Sequence, residues 1–138
     1  FSACFSAAFL VRHPTVYARL LAEKLRRHTA RAWLINTGWT GGPYGVGRRI
    51  DLAATRRIID AIHAGGLDTA PVSTDPVFGL DAVTRVSGVN EDLLVPHRAW
   101  GDEPAWREAA GRLAAKFKQN FLAYADQAGP DVLAAGPA

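Results

Sequence analysis

Apolar residues return every third or fourth position in three stretches of this chain, and each such stretch predicts an amphipathic helix. In the first, Val16, Leu20, Leu21 and Leu25 share one face while Arg19, Glu23, Lys24 and Arg27 lie on the other. Pro14 opens that helix, since a proline in the first turn gives up no hydrogen bond. Arg26, Arg27 and His28 fall in its last turn, where cations complement the helix dipole. The second helix starts near Leu52 with Asp51 as its N-cap and carries Ile58, Ile59 and Ile62 on one face. Gly65 and Gly66 are expected to end it as C-cap residues. Asp102 caps the third, Pro104 lies in its first turn, and Trp106, Ala109, Leu113, Phe117, Phe121 and Tyr124 form a packing stripe. Gly129-Pro130 is expected to break it, leaving a stub around Val132 to Ala135.

Between the helices the pattern changes. The first ten residues are a nearly unbroken apolar run, expected as a buried strand or tight core loop. "RAWLINTGW", residues 31–39, reads as a strand closed by a Thr-Gly turn. From Leu67 to Trp100 the chain is irregular, with Pro71, Pro76 and Pro96 and two short apolar runs, "DPVFGL" and "DLLVP", expected as edge strands or turns. Strands interleaved with helices place the chain in a mixed α/β class.

Composition narrows the function classes more than the fold. The 138 residues, 49 % hydrophobic and 21 % charged, suffice for one domain with a core. The chain contains no Met, so one beginning Phe1-Ser2-Ala3-Cys4 is expected to be a fragment or a processed product. "FSACFSAAFLV" lacks a basic region before it and is far too short to span a bilayer, so no membrane role is expected. Net charge is +3, but the arginine pairs at 26–27, 48–49 and 56–57 are scattered, which gives nucleic-acid binding little support. A single cysteine, Cys4, excludes an internal disulfide and suggests a reducing compartment. His13, His28, His63 and His97 show no zinc-site spacing. The acidic residues Asp75, Asp81, Glu91 and Asp92 form no calcium-loop pattern. No serine has a nucleophile-elbow context.

The stretch that invites chemistry is "GWTGGPYGVGRRI", residues 38–50. From Gly42 to Gly47 it keeps the G-x-x-x-x-G frame of a Walker A loop, in a strand, loop and helix context where backbone amides could cradle phosphate. Arg48 and Arg49 stand where that motif needs Lys and a hydroxyl. Arg49 cannot coordinate Mg²⁺, because guanidinium has no lone pair to offer. Spacing alone leaves two readings open: phosphate contact, or a connecting turn with solvated arginines. Arg49 and Thr55, six residues apart, could act together, one stacking on a base or forking to phosphate, the other reading a purine edge. Equally, they could be a surface arginine and a helical Thr bonded back to its own carbonyl.

"ACFSAAFLVRHPTVYA", "WLINTGWTGGPYGVGRRI", "TRRIIDAI", "DPVFGL" and the closing "LAAKFKQNF" resemble the ATP-dependent phosphoenolpyruvate carboxykinases, in order along nearly the whole chain. The resemblance implies that residues 1–138 are the C-terminal portion of the family's nucleotide-binding domain, with no internal boundary and with helices packed on a mixed sheet. It implies an enzyme that converts oxaloacetate and ATP to phosphoenolpyruvate, ADP and CO₂ in cytoplasmic gluconeogenesis, using Mg²⁺ and Mn²⁺. The family's phosphate loop, metal ligands and substrate-binding residues match nothing in this chain, so the chain alone is expected to be inactive. The pattern of glycine, a basic residue, Arg, an apolar residue and a later Thr carries the family's ATP contacts onto Arg49, Ile50 and Thr55. Ser6 stands where the family pattern expects Gly, and "VPHRAW" replaces an Asn-Pro-Arg-containing turn. The alternative is a stand-alone basic module that binds an anion or nucleotide without catalysis.

Overall fold

The computed structural model describes residues 7–138. They form two compact units. One holds residues 7–35 and Ala115–Pro137, the other Asn36–Ala114 together with Ala138. The elements are helices and small antiparallel sheets, a mixed α+β architecture.

In the first unit the helix α1 spans Pro14–Arg27. His13 caps it through Nδ1, which lies 2.7 Å from Thr15 Oγ1 and accepts from the Thr15 amide. At its other end Ala30 N–H donates to Leu25 O and Thr29 N–H to Arg26 O, the paired bonds of a Schellman cap. Such a cap needs a left-handed residue after the C-cap, and here a β-branched one takes it: Thr29 has φ 48°. The expected apolar face forms, but none of α1 is buried, and Leu20 and Leu21 are exposed.

Two expectations on this side do not hold. Of the first ten residues, 1–6 lie outside the described residues. Ala7–Phe9 is a 3₁₀ turn instead of a strand, and Phe9 is 81 % exposed. Residues 31–38 carry no strand pairing among the described residues. Only Trp39 of the expected strand enters a ladder, and Trp33, Leu34 and Ile35 are exposed. Apolar β-formers become a strand only when a second segment supplies the other half of the ladder.

The second unit is organised by α2, Leu52–His63. Asp51 caps it as expected, Oδ1 accepting from Ala54 N–H at 2.7 Å. Its C-cap is Ala64, and the two glycines complete a Schellman motif beyond it. Gly65 takes φ +70°, Gly65 N–H donates to Ile62 O and Gly66 N–H to Ala61 O. Ala54, Leu67, Val86 and Val89 form a core cluster, with Ile50, Ile58 and Ile62 packed against it. Ile59 is exposed, one position off the buried arc.

"DPVFGL" proves to be the connection between two strands, β3 (Val72–Thr74) and β4 (Asp81–Val83), paired antiparallel with Ser73 opposite Ala82. Asp75 makes it a turn, its Oδ1 accepting from both Val77 and Phe78 amides at 2.8 Å. "DLLVP" likewise is no strand: Glu91–Leu93 is a 3₁₀ turn, followed by the short helix α3, Pro96–Trp100. The long helix α4, Glu103–Phe121, is capped by Asp102 as expected, with Oδ1 2.9 Å from Ala105 N. Its buried residues are Trp106, Ala110 and Ala114, while Leu113 and Phe117 of the expected stripe are exposed. A helix turns 100° per residue, so i+3 and i+4 fall on either side of the same line, and small alanines allow the closer approach. α4 ends at Phe121, before Gly129-Pro130. A 3₁₀ turn, Ala125–Gln127, follows, and Pro130–Ala134 forms the last short helix, α5.

Candidate functional site

The glycine-rich stretch folds as a hairpin. β1 (Trp39–Thr40) pairs antiparallel with β2 (Arg48–Arg49), Trp39 opposite Arg49 and Thr40 opposite Arg48. Gly41, Gly42 and Gly45 take positive φ, and Pro43 O accepts from the amides of Val46 and Gly47. Gly47 carries the tightest constraint. A Cβ there would lie 2.5 Å from the carbonyl oxygens of both Gly42 and Thr40.

This geometry corrects the strand, loop and helix reading. The loop returns the chain antiparallel into β2, so its amides do not lead into α2. At the start of α2 the Ala54 amide already receives an anion, the Asp51 carboxylate. One amide of that helix end is therefore already taken by the chain's own carboxylate.

Side chains alternate across a strand, so the hairpin has two faces. Arg49 shares one with Trp39. Trp39 is 40 % exposed, and its ring meets that of Tyr44, 85 % exposed, edge-on at 5.1 Å. That face offers a guanidinium beside two accessible aromatic rings. Ile50 follows, half-buried, its side chain against the core cluster and its amide bonded to Gly38 O at 3.0 Å. Thr55 lies in the first turn of α2, half-buried, with Oγ1 donating to Asp51 O at 3.1 Å. Asp51 thus sets both the start of the helix and the direction of the Thr55 hydroxyl. With its proton committed, that oxygen is left as an acceptor. Of the three residues named from the sequence, Arg49 ends β2 and Thr55 lies in α2, while Ile50 belongs to the two-residue link between them.

On the opposite face, Thr40 and Arg48 line a cavity of about 140 Å³ together with Gly41, Asn90, Asp92 and Arg98. Sequence reasoning did not find it. Asn90, Asp92 and Arg98 lie in the irregular stretch some forty residues beyond the hairpin, where no spacing rule links them to Arg48. Arg48 itself reads as a solvated charge.

Among the described residues, no group of three or more His, Cys, Asp or Glu is arranged to hold a metal ion. None of their helices is long and apolar enough to cross a membrane. The family model for phosphoenolpyruvate carboxykinase matches residues 1–92. A phosphoenolpyruvate carboxykinase (ATP) of Salinibacter ruber is 54 % identical over 99 % of this chain and 26 % of its own length. Proteins of the same description from Thermus thermophilus and Zea mays are 48 % and 50 % identical, again over 99 % of this chain, covering 26 % and 22 % of theirs. The chain thus spans about a quarter of the length of these relatives. With two thirds of its residues inside the family match and about half of them identical to those of curated members, the chain belongs to the ATP-dependent phosphoenolpyruvate carboxykinase family.

Proposed function

We propose that the protein carrying this chain converts oxaloacetate and ATP to phosphoenolpyruvate, ADP and CO₂, a cytoplasmic step of gluconeogenesis, and binds neither nucleic acid nor membrane. Residues 1–138 are the C-terminal portion of its nucleotide-binding domain and supply part of the ATP site through Arg49, Ile50 and Thr55. The ligands for Mg²⁺ and Mn²⁺, and the groups that handle the phosphoryl transfer, come from outside this chain, so no chemical step is assigned to its residues.

The observation that carries this reading is the hairpin register. It sets Arg49 opposite Trp39 on an exposed aromatic face, a surface on which a purine can stack and where a guanidinium can fork to an oxyanion. Thr55 adds a directional element. Its oxygen, held as an acceptor by the bond to Asp51 O, suits the exocyclic amine of adenine and meets the carbonyl of a 6-oxopurine as acceptor against acceptor. Ile50, anchored in the core, holds Arg49 and the cap of α2 at fixed spacing.

Equilibrium ATP titration of the full-length protein tests the assignment. Arg49→Ala loses a charge-assisted contact of about 1.5–3 kcal/mol, on the order of a ten- to hundredfold rise in Kd. Arg48→Ala, on the other face, should cost less, and its effect should shrink more with added salt, as exposed charges do. Equal, small and equally salt-sensitive losses would show the two arginines to be ordinary surface charges.

A further inference from the structure

The cavity on the Arg48 face lies on the other side of the hairpin from the proposed nucleotide contacts, and its lining is unusually specific for so small a volume. Arg48 comes from β2, Thr40 from β1, Asn90 and Asp92 from the segment before α3, and Arg98 from α3 itself. Three chain segments thus bring two guanidiniums and one carboxylate to a single hollow, leaving an excess of one positive charge. The ion pairs Arg85–Glu91, Arg107–Glu103 and Arg112–Glu108 involve neither Arg48 nor Arg98. Asp92 therefore leaves both cations without a close ionic partner. Thr40, only 8 % exposed, is the buried polar residue of the set, and Asn90 is held in place by accepting from Asp92 N–H at 3.0 Å.

We propose that this hollow is a binding site for a small oxyanion, a phosphate or a short carboxylate, gripped between the guanidiniums of Arg48 and Arg98. Guanidinium forks match the paired oxygens of such anions. Size limits the class. At about 140 Å³ the hollow is several times the ~30 Å³ share of one water. It is well below the roughly 300–1,000 Å³ of sites that enclose drug-sized ligands, so a nucleoside triphosphate does not fit. Charge limits it too, because Asp92 in the lining leaves an excess of only one positive charge, which disfavours anions as highly charged as a triphosphate. The site depends on the hairpin register as the nucleotide face does, but on the other set of side chains.

Arginine footprinting of the full-length protein tests this directly. Both side chains belong to exposed residues, so phenylglyoxal can label them, and peptide mapping reads each rate separately. Inorganic phosphate is titrated first, then acetate, with chloride at matched ionic strength as reference. Phosphate or acetate should slow the labelling of Arg48 and Arg98 with one shared midpoint, and whichever does so identifies the anion. Arg56, on α2, should not respond. Arg98→Gln should move the midpoint for protecting Arg48 upward by about ten- to hundredfold, and Arg98→Lys by less. Saturating ATP should leave the shared midpoint in place. Separate midpoints for the two arginines, equal protection by chloride, an unmoved midpoint in Arg98→Gln, or displacement by ATP would each overturn the proposal. The shared midpoint is read in the unsubstituted protein, so the test survives a variant that fails to fold.

Discussion

Replacing Gly47 by alanine adds one methyl group at the most confined point of the hairpin. Its Cβ would lie 2.5 Å from Gly42 O, 2.5 Å from Thr40 O and 2.9 Å from Gly42 N. Even weak C–H···O contacts need about 3.3 Å or more between carbon and oxygen. All three obstacles are backbone atoms, so no side chain can swing away, and the two arms must separate. Overpacking costs about 1–3 kcal/mol, and a backbone clash belongs at the upper end. Native-state hydrogen exchange reads that cost locally, through the Ile50 amide that donates to Gly38 O. A loss of about 2–3 kcal/mol speeds its exchange on the order of thirty- to hundredfold. ATP affinity should fall with it, since Arg49 rides on β2. The same methyl at Gly111, inside α4 with nothing within 4 Å, should instead stabilise by about 0.5–1 kcal/mol. An Ile50 amide that exchanges no faster in Gly47→Ala than in the parent protein would refute the steric account.

Thr55→Val removes the acceptor while keeping the shape, and should weaken ATP binding by about 0.5–1.5 kcal/mol; an unchanged Kd with folding intact would remove Thr55 from the site. Asp51→Ala should cost about 1 kcal/mol of helix stability through the lost cap, seen as faster exchange in the first turn of α2; no change there would mean that the cap bond at Ala54 contributes nothing. Thr29→Gly should relieve the left-handed strain after α1 and raise stability by about 1 kcal/mol, measured by denaturant titration; a lower midpoint would show that the Thr29 side chain stabilises that turn.

What the sequence revealed and what it hid divide by the range of the interaction. Asp51, Asp102 and Pro14 mark helix starts because a cap acts within three residues of itself, and the Gly65-Gly66 pair does the same at an end. The stretch 31–39 misled because a strand is completed by a partner elsewhere, and Leu34 and Ile35 carry no record of which segment that is. In α4 the large side chains drew the stripe toward Leu113 and Phe117, whereas the buried positions after Trp106 are the alanines 110 and 114, whose small size is silent in a hydrophobic pattern. The glycine loop's proposed nucleotide contacts were legible only through family resemblance. Its hairpin was not, since two-residue strands are too short to show alternation. The oxyanion hollow was hidden because its parts meet only after α3 has packed near β1.

A strand of two identical residues has an unusual property under slippage. If Trp39 were paired with residue 48, an arginine would still stand on the aromatic face, but Gly47 would replace Arg48 at the hollow. If Trp39 were paired with residue 50, Arg49 would line the hollow and the aromatic face would receive Ile50. Each direction of slip spares one guanidinium's neighbourhood and erases the other, without altering composition or charge. Length variants of the loop between Gly41 and Gly47 are therefore a genetic tool that no point substitution replaces. A deletion and an insertion should separate loss of one face from loss of the other, and among natural variants the length of that loop is as informative as the two arginines themselves.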